Sequence, residues 1–205
     1  MKRTFQAIAL SVLATHAATG SSVAQGILPR AEAMKVAVIA TLQAPTKSDA
    51  PFQVDADLKR PVAGQDGEYG LLILPETKLT AAVLEAAGKD PVPVAQLWLK
   101  KLTPIVDGGP VEESRLHMVS LQHDGETHRA PLCLLGVRRT DAGALELVIY
   151  GKGREPLARV PLLKANRTQT LPIELEVERE SEAGRLTFFL CGRYEATLKV
   201  TELPE

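Results

Sequence analysis

The chain has 205 residues, 24 of them Lys or Arg and 25 Asp or Glu, for a formal charge of −1. Hydrophobic residues at 45% and charged residues at 24% are the proportions of a globular protein, not of a disordered or fibrous one. The near-neutral balance excludes a broad basic face for nucleic acid, and two cysteines exclude both a disulfide-dense scaffold and a cysteine-rich zinc module.

Residues 1–24 have the layout of a secretory signal. Lys2 and Arg3 supply the positive start, and Phe5 to Thr15 form an apolar stretch too short for a bilayer span of about 20 residues. Ser22-Val23-Ala24 puts small residues at the −3 and −1 positions, which predicts cleavage after Ala24. Residues 25–205 are then expected as one β-rich domain, exported to the periplasm, the cell surface or beyond. No cysteine precedes Cys133, so a lipid-anchored N-terminus is not expected. No later apolar run is long enough for a transmembrane segment.

Along the rest of the chain, apolar residues recur mostly every second position, the period of a strand with one face on a core. Lys35–Leu42 reads as the first strand. Phe52, Val54, Ala56 and Leu58 then alternate with Gln53, Asp55, Asp57 and Lys59. Tyr69–Leu74 follows, and its continuous run Leu71–Leu74 predicts cover on both faces. Leu79, Ala82, Val83 and Ala86 switch to helical spacing, predicting one short helix near residues 78–87 that ends at a left-handed Gly88. Further strands are expected at Val94–Leu102, Arg115–Gln122, Ala130–Val137, Leu145–Tyr150 and Pro156–Leu163. The last three are Ile173–Val177, Arg185–Cys191 and Glu195–Thr201. Turns punctuate them at Asp66-Gly67, Asp107-Gly108-Gly109, Asp124-Gly125 and Gly151-Lys152-Gly153. The fold class is mainly β: an antiparallel β-sandwich or partly open barrel with that one short helix.

Two segments resemble each other. Residues 142–162 and 183–200 both open on Ala-Gly, continue as an apolar strand, and bend at a glycine followed by a basic residue, Gly151-Lys152 and Gly192-Arg193. Both read as hairpins, related by duplication or by shared turn chemistry.

Functional side chains are sparse. His123 and His128 flank Asp124, Gly125 and Glu126; a two-residue turn there sets His123 opposite Glu126 and His128 opposite Leu121. One metal ion could bridge His123, His128 and Glu126, whereas His117 lies too far along the strand to join them. Exposed hairpin-tip histidines are the preferred account. Glu174, Glu176, Glu178 and Glu180 share one strand face, read as a solvated row that blocks edge pairing. Cys133 and Cys191 read as separate thiols in apolar strands, with a disulfide as the alternative. Trp98 shares a face with Gln96 and Lys100. Buried, it belongs to a second core layer; exposed, Trp98 and Lys100 form a surface for a ligand or partner. The loop Asp107–Glu113 is the other surface of interest. Asn166-Arg167-Thr168 fits a glycosylation sequon.

No nucleotide-binding, zinc-protease or serine-hydrolase motif occurs, and no cofactor is expected. The sequence reads as an exported, non-enzymatic binding or interaction module with a protein or envelope ligand as partner. Its rivals are a secreted metal-dependent hydrolase using His123, His128 and Glu126, and a structural component of an envelope assembly.

Overall fold

The computed structural model describes residues 26–44, 49–123, 126–180 and 183–204, without the side chains of His123 and Glu126. The signal-like leader and the Asp124-Gly125 turn lie outside the described residues. In chain order the elements are α1 (Arg30–Gln43), β1 (Val62–Asp66), β2 (Tyr69–Pro75), α2 (Ala81–Glu85), β3 (Val92–Lys100), β4 (Leu102–Val106) and β5 (Gly109–Pro110). They continue as β6 (His117–His123), β7 (Glu126–Arg139), β8 (Leu145–Tyr150), β9 (Pro156–Pro161), β10 (Leu163–Lys164), β11 (Ile173–Arg179), β12 (Gly184–Leu190) and β13 (Tyr194–Glu202).

The strands make two antiparallel sheets, a mainly β fold of the sandwich kind. Sheet I runs β1-β2-β3-β7-β8-β9, with β6 also on β7. Sheet II runs β11-β12-β13-β4-β5, with β10 also on β13. Leu132 of β7 registers with Trp98 on one side and His117 on the other, so β6 and β8 lie end to end along the same edge of β7. The inner faces of both sheets feed one buried cluster, with Ile73, Leu97, Leu135 and Ile149 from sheet I and Leu175, Phe188 and Leu198 from sheet II. Between β3 and β4 stands one residue, Lys101, in the left-handed region at φ 57°. That bend carries the chain out of sheet I and into sheet II, the corner device of strands that serve two sheets.

Sheet I is covered on its outer face as well. Leu71 and Ile73 belong to the inner cluster, while Leu72 and Leu74 belong to a second, outer one. Leu132–Leu135 divides in the same way. Both continuous apolar runs are therefore buried from two sides, as their sequence implies.

The outer cover corrects two expectations. Lys35–Leu42 is part of helix α1, not a strand. Its valines and Ile39 follow a strand-like rhythm, but Ala33, Ala37 and Ala40 stand at i, i+4, i+7 and turn inward onto Leu72 and Trp98 of the outer cluster. Small side chains let the helix axis lie close to the sheet. Met34, Val38 and Leu42 stay exposed, Leu42 at 81%. The second correction concerns Phe52–Leu58. Its alternation in burial is real, yet it enters no sheet and makes one isolated bridge, Ala56 to Glu76. Phe52, Val54, Ala56 and Leu58 pack on the outer cluster as a strap. The buried Glu76 carboxylate secures the strap by accepting from the Asp55 N–H at 2.7 Å and the Lys78 N–H at 3.3 Å.

The predicted short helix exists as α2, shorter and in a different phase. Thr80 caps it, accepting from the Val83 N–H at 3.3 Å. Leu79 therefore precedes the helix and packs beside Leu84 as a staple. Leu84 and Ala87 are buried; Ala82 and Ala86 are exposed. Gly88 does not adopt a left-handed conformation. Arg139 does the capping instead, donating to the Glu85 and Ala87 carbonyls at 2.8 and 3.2 Å.

The two resembling segments are hairpins, β8–β9 in sheet I and β12–β13 in sheet II. Each bend packs its glycine on a carbonyl from another segment, although Gly192 is left-handed at φ 67° and Gly151 is not. The Arg115 carbonyl lies against Gly151 and accepts from Lys152 N–H at 2.9 Å, and the Arg167 carbonyl lies against Gly192.

Candidate functional site

The helix that the alternation concealed creates the most site-like feature, a hollow of about 360 Å³ between α1 and the outer face of sheet I. Strand register explains it. Gln65, Gly70 and Lys100 form one row across β1, β2 and β3, and Ala63, Leu72 and Trp98 form the next. Gly70 has no side chain, so the Lys100 stem lies across the middle of the first row. Ala130 of β7 also lines the floor, and Val36, Ile39 and Ala40 of α1 form the roof. The volume falls in the range of about 300–1,000 Å³ of small-molecule sites, and the walls are predominantly apolar with few polar groups.

The roof is tied down at both ends. Leu28 N–H donates to the Ala63 carbonyl at 2.8 Å, and Arg30 donates to the Lys59 carbonyl at 2.8 Å. At the far end the Gln43 amide accepts from Gln122 N–H at 2.6 Å and donates to its carbonyl at 3.1 Å. One side-chain amide thus completes the open edge of β6 and locks the helix over the hollow.

Three residues singled out in the sequence line this space together: Trp98, Lys100 and His128. Trp98 is buried, at 2% exposure, and its indole N–H donates to the Gln96 side-chain oxygen at 3.2 Å. It belongs to a second core layer, as preferred from sequence, with α1 rather than the 78–87 segment above it. The Lys100 stem lies across Gly70, its Cβ and Cδ 3.4 and 3.7 Å from where a Gly70 Cβ would stand. Gln65, Gly70 and the α1 residues were not singled out; the 33–37–40 alanine spacing was the available signal.

The β6–β7 register sets His123 opposite Glu126 and His128 opposite Leu121, as the turn spacing predicts. The His123 and Glu126 side chains lie outside the described residues. Among the described residues no group of three or more His, Cys, Asp or Glu side chains converges. His117, at the other end of β6, lines a separate polar hollow with Asp49, Ser114, Arg129 and Lys152. The Ser114 hydroxyl there donates to Glu112 at 3.3 Å. The loop Asp107–Glu113 turns through left-handed Asp107 and Gly108 and stands apart from the α1 hollow.

Burial pushes the His117 imidazole pKa down, assisted by Lys152 and opposed by Asp49. The unfolded chain then takes up a proton near pH 6.5 that the fold resists. Stability is complete above that pH and declines as pH falls toward the folded value. Thermal melts of the parent and His117→Gln between pH 7.5 and 5 should show the parent losing more Tm, by a small margin. Parallel profiles would mean that the histidine is solvated.

The acidic row and the two cysteines have partners or burial of their own. Arg167 pairs with Glu174 and Glu176 at 3.8 and 2.5 Å and lies 4.1 Å over the Phe189 ring. Arg185 pairs with Glu178 and Glu180. Each arginine thus serves two glutamates, and the acidic row on sheet II is half neutralised. Cys133 and Cys191 are free thiols; burial pushes Cys133 up to about 12. A smaller cleft of about 220 Å³ opens between the ends of the two sheets, rimmed by Asp66, Glu178, Glu180 and Glu202. Arg179 and Asp66 close it with a 3.3 Å ion pair. No family model, curated protein or solved structure matches this chain, so what it does is read from its own residues.

Proposed function

We propose that the protein is an exported, non-enzymatic binding module that seats a small, largely apolar ligand between α1 and sheet I. The observation that supports this reading is the gathering of Trp98, Lys100 and His128 around one hollow with apolar walls. A sheet floor paired on both sides and a roof held by hydrogen bonds at both ends support it further. The leader pattern supports export, and N-terminal sequencing of the processed protein should begin at Gln25.

Trp98 is the single tryptophan of the chain, so its fluorescence reports the hollow without labelling. The neutral fluorophore N-phenyl-1-naphthylamine is expected to bind and to quench Trp98 by energy transfer. Gly70→Val should weaken that binding at least tenfold. A Cβ at 70 meets only ordinary contacts, with the Lys100 stem and the Gly64 carbonyl, so the added bulk narrows the hollow beside Lys100 rather than breaking the strand. Equal binding by Gly70→Val, with an unchanged melting temperature, would place the ligand elsewhere and overturn the proposal.

A further inference from the structure

We infer that the hollow under α1 selects an anionic amphiphile, a single acyl chain ending in a carboxylate, with the chain beneath the helix and the head at Lys100. The inference rests on the ligand reading above and adds the charge and shape of the ligand. Two adjacent lysines make the argument by contrast. Lys101 is paired with Glu68. Lys100 lines the hollow, acts on Glu68 only at longer range and makes no ion pair of its own among the described residues. Its four-carbon stem lies over Gly70 and forms apolar floor, which carries the ammonium toward the rim.

The polar groups that line this hollow are Gln65, Lys100 and His128; among the described lining residues there is no carboxylate. The cleft between the sheet ends has four carboxylates on its rim, three of them paired with Arg179 or Arg185. An ammonium at the rim of apolar walls attracts a carboxylate head, while the acyl chain fills the apolar space behind it. A cationic head in the same place meets like charge and pays desolvation with no return.

The test uses three decyl compounds below their micellar concentrations, with Trp98 emission as readout: decanoate, 1-decanol and decyltrimethylammonium. Decanoate should bind at least tenfold tighter than decanol, and decyltrimethylammonium weakest. Lys100→Gln should cost decanoate about tenfold and leave decanol unchanged, and Lys100→Glu should transfer the preference to the ammonium compound. Equal binding of decanoate and decanol, or decanoate binding indifferent to Lys100→Gln, would overturn the charge inference while leaving an apolar site in place. If no decyl compound perturbs Trp98, or if Gly70→Val leaves all three unchanged, the ligand reading falls and this inference with it.

Discussion

Phe188→Ala is expected to destabilise the protein by about 4 kcal/mol and to lower its Tm by roughly 8–16 °C. Phe188 is among the largest side chains in the fold with no exposure at all. It sits on β12, between β11 and β13, opposite Leu175 on one side and Ala196 on the other. The small Ala196 leaves room for the ring, and the shared core closes over it from sheet I. Truncation removes the transfer energy of the ring and leaves a void that strands paired on both sides cannot collapse to fill. Urea denaturation should show a lower midpoint at an unchanged slope. Leu163→Ala is the control: that side chain is 57% exposed, and its loss should stay within about 0.5 kcal/mol. A Phe188 variant that unfolds with the control would mean that the two inner faces do not pack on each other.

The second large effect lies at the paired hairpin bends. Gly151→Ala and Gly192→Ala should each cost about 3 kcal/mol. At 151 a Cβ would overlap the Arg115 carbonyl oxygen and stand 2.9 Å from Leu157 Cδ1. The carbonyl cannot withdraw without losing its hydrogen bond from Lys152. At 192 a Cβ would stand 2.5 Å from the Arg167 carbonyl oxygen, in a backbone already left-handed at φ +67°. Gly153→Ala provides the comparison, since a Cβ there meets nothing within 4 Å. Differential scanning calorimetry of the three variants separates the cases. Alanine at 151 melting with the parent would mean that the Arg115 segment moves aside freely.

Much of the sheet structure was readable from residue order, because the dyad pattern follows directly from which face meets the core. β8 occupies Leu145–Tyr150, the predicted bounds, and the glutamates of β11 alternate with Ile173, Leu175 and Val177 as the pleat requires. The pattern misled where a third layer sits outside a sheet. A helix laid on an already buried sheet needs small residues inward and leaves its large ones free to take any rhythm, so Val36, Val38 and the neighbouring Ile39 imitate a strand. The strap at Phe52–Leu58 imitates one for another reason: an extended chain over an apolar floor buries every second residue whether or not it finds a ladder partner.

The candidate site was legible as a set of residues and not as a place. Trp98, Lys100 and His128 stood out as side-chain types in a chain with few aromatics and few histidines. What joins them is the register of β3 with β7 and the lack of a side chain at Gly70, and register is a tertiary property that local spacing does not encode.

The left-handed corner at Lys101 has a consequence for how the molecule comes apart. β3 and β4 are one run of chain with a single residue between them, so tension or loosening in either half passes to the other across two peptide bonds. Opening β4 frees the end of β13 that it borders, and opening β3 cuts sheet I through its middle. Amide protons in both halves should therefore exchange with solvent through one shared event. A protease added during unfolding should find no stage at which one layer stands intact and the other has gone.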